Sequence, residues 1–290
     1  MTRLTEHLTL APDAAVDFHM HTTYSDGRLP AEQLIDYLVG EGFDLVAVTD
    51  HDRVDMVGHI QELAAQKRLP VLSGVEMSAR WQGKMCDLLC YGFDPQENYL
   101  RALTDEIDRC HHEMAVAVYE ALLKRGYQFP RREEVLSESG GIPQRTSHNM
   151  RLLREHGYVK NWREAITILR EAGNHEIKVD LAETVEAAHG SGAVCLIAHP
   201  GRRERGFTFY ETAMLDQLRA EIPIDGIEVY HSSHSPEMVE TYLNYARTHS
   251  LLMSTGSDSH GFPERMPRKH RADLSHDFLE RVGISINETT

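Results

Sequence analysis

Histidines and carboxylates close a series of short apolar segments in this chain. His19-Met20-His21 follows Val16-Asp17-Phe18, with Asp26 in the loop beyond. Thr49-Asp50-His51-Asp52 follows Leu45-Val46-Ala47-Val48, and Glu76 follows Gly74-Val75. Later come Ala198-His199-Pro200-Gly201, Glu228 leading into His231 and His234, and Gly256-Ser257-Asp258-Ser259-His260. Neutral imidazole and carboxylate are ligands for Zn, Mn or Fe. His19 and His21 are two apart on a strand, so both point to one side as a chelating pair. Asp258 and His260 repeat that spacing. The set holds enough ligands for more than one ion, and a carboxylate such as Glu76 can bridge two. Paired metals suit displacement at phosphorus, because they stabilise both the attacking and the leaving oxygen.

Each motif alone has a bland reading. His-x-His is weak by itself, Asp26 before Gly27 suits a turn, and Asp52 suits a helix cap. Thr49 reads as orienting its loop, and Ser257 and Ser259 as supporting or capping residues. The conjunction carries the argument: the segment ends, spread over some 240 positions, all bear histidine or acid.

An alternation of strands and helices must position these residues. Strands are expected at 16–21, 44–48, 69–75, 87–91, 193–198, 224–230 and 251–255, and helices at 30–40, 57–67, 181–189 and 236–248. This βαβα order implies a parallel sheet covered by helices. In a parallel barrel all strand C-termini open on one face, where active sites sit. Between 98 and 178 the pattern turns helical, with helices at 100–125, 151–156 and 161–171. The expected organisation is a barrel over 14–97 and 179–270, a helical insertion over 98–178 and a tail over 271–290.

Composition narrows the function. The net charge is −15, which disfavours a module held to long nucleic acid by its overall field. The four cysteines form no C-x-x-C pair and read as reduced thiols. No apolar run approaches the ~20 residues of a spanning helix, and the first residues lack a signal peptide's apolar region, so a cytoplasmic location without membrane contact is expected. Arg202-Arg203-Glu204-Arg205 reads as a solvated charge run, or as a guanidinium at the mouth of the site, where arginine suits phosphate.

The motifs His19-Met20-His21, Ser25-Asp26-Gly27, Thr49-Asp50-His51-Asp52, Gly74-Val75-Glu76, Ala198-His199-Pro200-Gly201, Gly226-Ile227-Glu228-Val229 and Gly256-Ser257-Asp258-Ser259-His260 resemble the PHP (polymerase and histidinol phosphatase) family. The helical insertion is similar to that of the family's stand-alone branch acting on small nucleotides. The resemblance implies a distorted (β/α)7 barrel with two to three divalent ions, Mn first, Zn or Fe otherwise. It implies one metal held by His19, His21, Glu76 and Asp258, a second by Asp26, His51 and His260, and a third touched by Glu76 and His199. Asp87 stands where relatives often carry a histidine for that third ion. Arg145, His148, Lys178, Arg202 and His234 are the implied phosphate contacts, with His148 displaced by one residue from the family's motif. The expected reaction is hydrolysis of a phosphate monoester of a nucleoside 3′,5′-bisphosphate or 5′-phosphorylated short RNA by a metal-bridging hydroxide. His234 or His231 would serve as proton donor or phosphate orienter, and Asp258 as proton acceptor. Histidinol phosphate or a cyclic phosphodiester remains an alternative substrate, and a non-catalytic metal-binding module a further alternative.

Overall fold

A computed structural model describes residues 4–177, 179–203, 207–261 and 265–287. Its elements run β1 (Thr9–Leu10), β2 (Ala15–Asp17), α1 (Ala31–Glu41), β3 (Leu45–Ala47), α2 (Val57–Gln66), β4 (Val71–Leu72), β5 (Gly74–Trp81) and β6 (Lys84–Tyr91). Helices α3 (Leu100–Lys124), α4 (Arg132–Val135), α5 (Thr146–Glu155), α6 (Trp162–Glu171) and α7 (Leu181–Gly190) follow. Then come β7 (Val194–Ile197), α8 (Thr212–Glu221), β8 (Gly226–His231), α9 (Pro236–Thr248), β9 (Leu252–Gly256), β10 (His270–Arg271), α10 (His276–Arg281) and β11 (Ser285–Ile286). No described helix is long and apolar enough to cross a membrane. Tertiary contacts divide the chain into a unit of Met1–Thr104 with Val179–Thr290, and a helical unit of Asp105–Lys178.

The first unit is a mixed α/β structure. Its strands form a four-stranded sheet, β10-β2-β3-β4, and a five-stranded sheet, β5-β6-β7-β8-β9. Strands β2, β3 and β4 are mutually parallel, as are β7, β8 and β9. The expected all-parallel closed barrel is not what the strand pairing records. β6 runs antiparallel to both β5 and β7. Gln82 and Gly83 both take positive φ, 50° and 77°, the two-residue turn that matches strand twist in a hairpin. The single strand expected at 69–75 is interrupted at Ser73, whose hydroxyl donates to the Phe93 carbonyl at 2.7 Å. Single bridges, Met20 with Ser259 and His51 with Glu76, connect the segments after β2 and β3 to the five-stranded sheet.

The alternation of side chains along each strand sorts two cores. Leu45 and Ala47 join Val16, Phe18, Leu196 and Leu252 in one cluster. Val46 and Val48 face the other way, onto Leu34, Ile35 and Leu38 of α1 and Ile60 of α2. The segment expected as an uninformative tail is structural: Phe278 of α10 is fully buried and packs edge-on against Phe18 and Tyr91, at centroid distances of 5.3 and 5.0 Å. The Tyr91 hydroxyl donates to the Phe18 carbonyl at 2.7 Å, one residue before His19. Helix α8 also lay outside the sequence reading.

The helical unit has its own core, including Met114, Val118, Leu122, Phe129, Leu152, Leu153 and Leu169. Helix α5 begins at Thr146, five residues before its expected start at 151.

Phe278→Ala is expected to lower unfolding free energy by about 3–5 kcal/mol, the usual range for removing a buried aromatic side chain. Denaturant unfolding checks this, and a loss below about 1 kcal/mol, as at an ordinary surface site, contradicts the packing role.

Candidate metal centre

Glu76 is 1% exposed, and four imidazoles surround its carboxylate. Oε2 lies 3.0 Å from His19 Nε2, 3.1 Å from His21 Nε2 and 3.3 Å from His51 Nε2. Oε1 lies 3.1 Å from His199 Nε2. Each group arrives from a different place in the sheets. The extended backbone after β2 carries His19 and His21, and the Met20–Ser259 bridge sets them beside Asp258 and His260. His51 follows β3, and the Asp52 amide donates to the Glu76 carbonyl at 3.0 Å. His199 follows β7.

The potential ligands fall into overlapping groups. His19, His21, Glu76 and Asp258 lie together, all buried, and His21, Asp26, His51 and His260 form a second group. His51, Glu76 and Asp87 form a third, beside His199, whose Nε2 is 3.6 Å from Asp87 Oδ2. Asp87 reaches this group from the antiparallel strand β6. His19, Glu228 and His231 also cluster.

The donor set fits divalent cations. His19 Nδ1–H donates to Glu228 Oε1 at 3.0 Å, and His260 Nδ1–H donates to the Asp258 carbonyl at 2.9 Å. Each neutral ring therefore turns its Nε2 lone pair toward carboxylate oxygen. His21 is buried, and neither of its ring nitrogens has a hydrogen-bond partner. Lone pairs facing carboxylates repel unless a proton or cation lies between them. Burial favours neutral His21, but Asp258 and Glu76 outweigh it and push its pKa up to about 10. Burial likewise opposes the charge on His19, yet Glu76 and Glu228 hold its pKa well above the imidazole range. Burial disfavours an ionised Glu76 and Asp258, but neighbouring histidines keep both well below the usual carboxylate range. Burial also opposes ionisation of Asp26, and His260, His51 and His21 again prevail. Asp87 differs: burial and the charge of Glu76 push it up to about 6.

An outer layer of carboxylates holds these ligands. Glu228 Oε2 also accepts the His199 amide at 2.8 Å; such carboxylate–histidine pairs fix tautomer and ring orientation. Asp17 accepts the amides of His19, Ser257 and Arg268 at 3.2, 3.0 and 2.9 Å. Asp50 accepts the Thr22 amide and hydroxyl and the Ser25 hydroxyl, at 2.8, 2.7 and 2.6 Å, anchoring the loop that carries Asp26. Asp52 does not cap α2; its carboxylate accepts the Ser78 amide at 2.9 Å. The sequence analysis assigns no ligand or substrate role to Glu228, Asp17 or Asp50. Their signal was an acid inside an otherwise apolar segment, where an unpaired charge is too costly to bury. Asp258 and His199 take positive φ, 52° and 29°, a local strain of about 1–3 kcal/mol that the surrounding structure must hold. Gly256 admits the close approach of this layer: a Cβ there would stand 2.3 Å from both Glu228 Oε1 and His19 Cβ.

The expected proton carriers separate here. His234 Nδ1–H donates to the Val229 carbonyl at 2.9 Å, and its Nε2 accepts the Gly201 amide at 3.0 Å. Both nitrogens are occupied by backbone, which argues against the proton-donor and phosphate-contact roles expected of it. A Cβ at Gly201 would press on this ring at 2.7 Å. His231 is the better placed. Its Nδ1 accepts the Ser233 amide at 3.0 Å, so the neutral ring carries its proton on Nε2, 3.6 Å from Asp258 Oδ2. Burial lowers the His231 pKa. Asp258 also pairs with Arg265, a cation outside the expected site residues. Arg202 lies 3.8 Å from Asp87 and stacks on Phe207 at 3.9 Å. Arg145 and His148 belong to the helical unit, where Arg145 pairs with Asp108 and His148 Nδ1 accepts the Gln144 amide at 3.1 Å. Lys178, Glu204 and Arg205 lie outside the described residues.

Two outcomes follow for the metal-free protein. A His21 pKa raised from 6.5 to about 10 contributes stability present below 6.5 and lost as pH rises toward 10. The chelated protein is therefore expected to melt at progressively lower temperature between about pH 7 and 9, while Mn-loaded protein is insensitive over that window. Binding of Mn at about pH 8 is expected to release protons, read by calorimetry in buffers of different ionisation enthalpy. Uptake without proton release contradicts this site. Gly256→Ala is expected to abolish tight Mn binding, because Glu228 and His19 must both give way.

Known proteins resemble this chain in sequence and in fold. A family model described as PHP domain matches residues 17–201. A 3′,5′-nucleoside bisphosphate phosphatase of Chromobacterium violaceum is 30% identical over 276 residues, covering 91% of each chain. A 5′-3′ exoribonuclease of Haemophilus influenzae is 25% identical over 251 residues, covering 85% of this chain and 90% of its own. A phosphoribosyl 1,2-cyclic phosphate 1,2-diphosphodiesterase of Eggerthella lenta is 24% identical over 258 residues, covering 87% and 96%. Among solved structures, a phosphoesterase from Bifidobacterium adolescentis superposes with a TM-score of 0.73 at 24% identity, covering 93% of this chain and 97% of its own, a likeness of fold. An amidohydrolase from Chromobacterium violaceum gives 0.69 at 25% identity, covering 92% and 96%. With the family model matched over most of the chain and a relative at 30% identity along nearly its whole length, the chain belongs to the PHP domain family.

Proposed function

We propose that this chain is a metal-dependent phosphoesterase that removes phosphate from a nucleoside 3′,5′-bisphosphate or a 5′-phosphorylated short RNA. The carrying observation is the buried Glu76 carboxylate ringed by four histidines. The Chromobacterium violaceum relative is named for the first of these substrates, and the Haemophilus influenzae relative is named for action on RNA from its 5′ end. We read the two sheets as parts of a distorted (β/α)7 barrel, and residues 98–178 as the insertion that selects substrate.

His19, His21, Glu76 and Asp258 would hold one ion; Asp26, His51 and His260, a second; and Glu76, His199 and Asp87, a third. The ligands are nitrogen and oxygen only, which suits Mn first and Zn or Fe otherwise. When bound, such ions supply Lewis acidity that activates water and neutralises charge on phosphate. Arg202, at the mouth beside Asp87, places a guanidinium on the phosphate oxygens. Water attacks phosphorus in line, the ester P–O bond breaks, and Asp258 takes the proton of the attacking water. His231 delivers the Nε2 proton to the departing oxygen. Arg265 holds Asp258 in place. Arg145 is the candidate phosphate contact of the helical unit.

A second reading, hydrolysis of a cyclic phosphodiester, has the Eggerthella lenta relative in its favour. Phosphate release across nucleoside 3′,5′-bisphosphates, 5′-phosphorylated short RNA, histidinol phosphate and cyclic phosphates decides between them. Turnover is expected to be greatest on a nucleoside 3′,5′-bisphosphate. Asp258→Asn is expected to lower kcat by about 100-fold or more, the usual loss for a positioned acid–base group. Full turnover by that variant with metal bound refutes the role of Asp258. Absence of release from every ester by Mn-loaded protein leaves a non-catalytic metal-binding module.

A further inference from the structure

The chain's net charge of −15 is unevenly distributed. Residues 105–178 contain twelve acidic and twelve basic side chains, so the whole excess lies elsewhere. Within the helical unit, residues 145–163 hold Arg145, Arg151, Arg154, Lys160 and Arg163 against a single acid, Glu155. This is a basic stretch within an acidic chain. It also bears an aromatic side chain in water: Trp162 is 63% exposed.

These features meet at a pocket of about 380 Å³ between α5 and α6, lined by Trp162, Asn161, Arg151, Arg154, His148 and Ser147 among others. Arg151 and Arg154 are one turn apart on α5, so their side chains share a face. The Arg154 side chain is 63% exposed, and its Nε and Nη2 donate to Glu155 Oε1 at 3.1 and 3.0 Å. Trp162 is held at the rigid first turn of α6. Asn161 Oδ1 accepts the Glu164 amide at 3.1 Å, and Glu164 Oε2 accepts the Lys160 amide at 2.7 Å, a reciprocal cap that fixes the helix start. The Arg163 guanidinium lies over the indole, 5.5 Å from its centroid. An exposed aromatic ring beside the exposed Arg154 matches the chemistry of single-stranded nucleic acid, where bases stack and phosphates pair with cations.

We infer that the α5–α6 face binds a nucleotide of a single-stranded oligonucleotide, its base stacked on Trp162 and its backbone phosphate paired with Arg154. The choice of ligand class rests on the reading of the chain as a nucleotide phosphoesterase. Such a site needs no basic protein overall.

The test is fluorescence polarisation of labelled hexanucleotides lacking a 5′-phosphate, one of RNA and one of DNA, titrated with the full protein at low and high salt. The expected result is salt-dependent binding that Trp162→Phe retains, Trp162→Ala weakens about tenfold or more, and Arg154→Glu weakens while flattening the salt dependence. Binding of RNA alone marks a site that reads the 2′-hydroxyl; binding of both marks a sugar-independent one. In parallel, kcat/KM of Trp162→Ala on a nucleoside 3′,5′-bisphosphate is expected to equal wild type. No binding by wild type, or equal affinity in wild type and Trp162→Ala, overturns the inference. So does an equal loss on the bisphosphate, which marks general damage to the fold. If wild type hydrolyses no bisphosphate, the phosphatase reading fails, and the polarisation titration still decides the oligonucleotide site.

Discussion

The first unit is organised around one constraint: a buried carboxylate, Glu76, is surrounded by imidazoles from three other parts of the chain. An ionised carboxylate away from water requires compensating positive charge. Protons on His19 and His21 can provide it, and divalent cations provide it better, since one cation answers several carboxylates together. The same residues are thus least comfortable in the metal-free state and best satisfied when loaded. This is the coupling of folding to metal binding found wherever ligands must give up protons.

The fold places carboxylates behind the histidines as well as in front of them. Glu228 fixes the ring of His19 and the amide of His199 together, so two ligands from different strands share one support. Asp17 binds three amides, linking the end of β2 to the segments after β9 and before β10. Strain at Asp258 and His199 is tolerable because these neighbours leave the backbone no alternative. Phe278 closes the unit below, against the Phe18 that precedes His19. Support of this kind lets side chains meet within hydrogen-bond distance although they lie up to 240 positions apart in sequence.

Much of this arrangement was legible in the sequence, for identifiable reasons. Metal-competent residues stood at the ends of apolar segments, and strand ends that open on one face bring distant residues together. The helices whose apolar faces cover the β2–β4 sheet were legible from their spacing. The β5–β6 hairpin was not, because its Gln82-Gly83 turn lacks the Asn or Asp that usually marks such a turn. Asp87 therefore read as belonging to a parallel strand. The occupation of both nitrogens of His234 depends on Gly201 and Val229, a meeting that local pattern does not encode. Phe278 sat in a segment without clear periodicity, and its importance comes from what it fills. The −15 charge also misleads as a single number, because its excess lies outside the helical unit.

The central claim is that Glu76 and its histidines hold divalent cations. Anomalous difference density from crystals of Mn-loaded protein, collected on either side of the Mn absorption edge, tests it most directly. The account predicts peaks in contact with Glu76, one shared with His19, His21 and Asp258 and another among Asp26, His51 and His260. Crystals of fully loaded, active protein with no Mn peak touching Glu76 would contradict it.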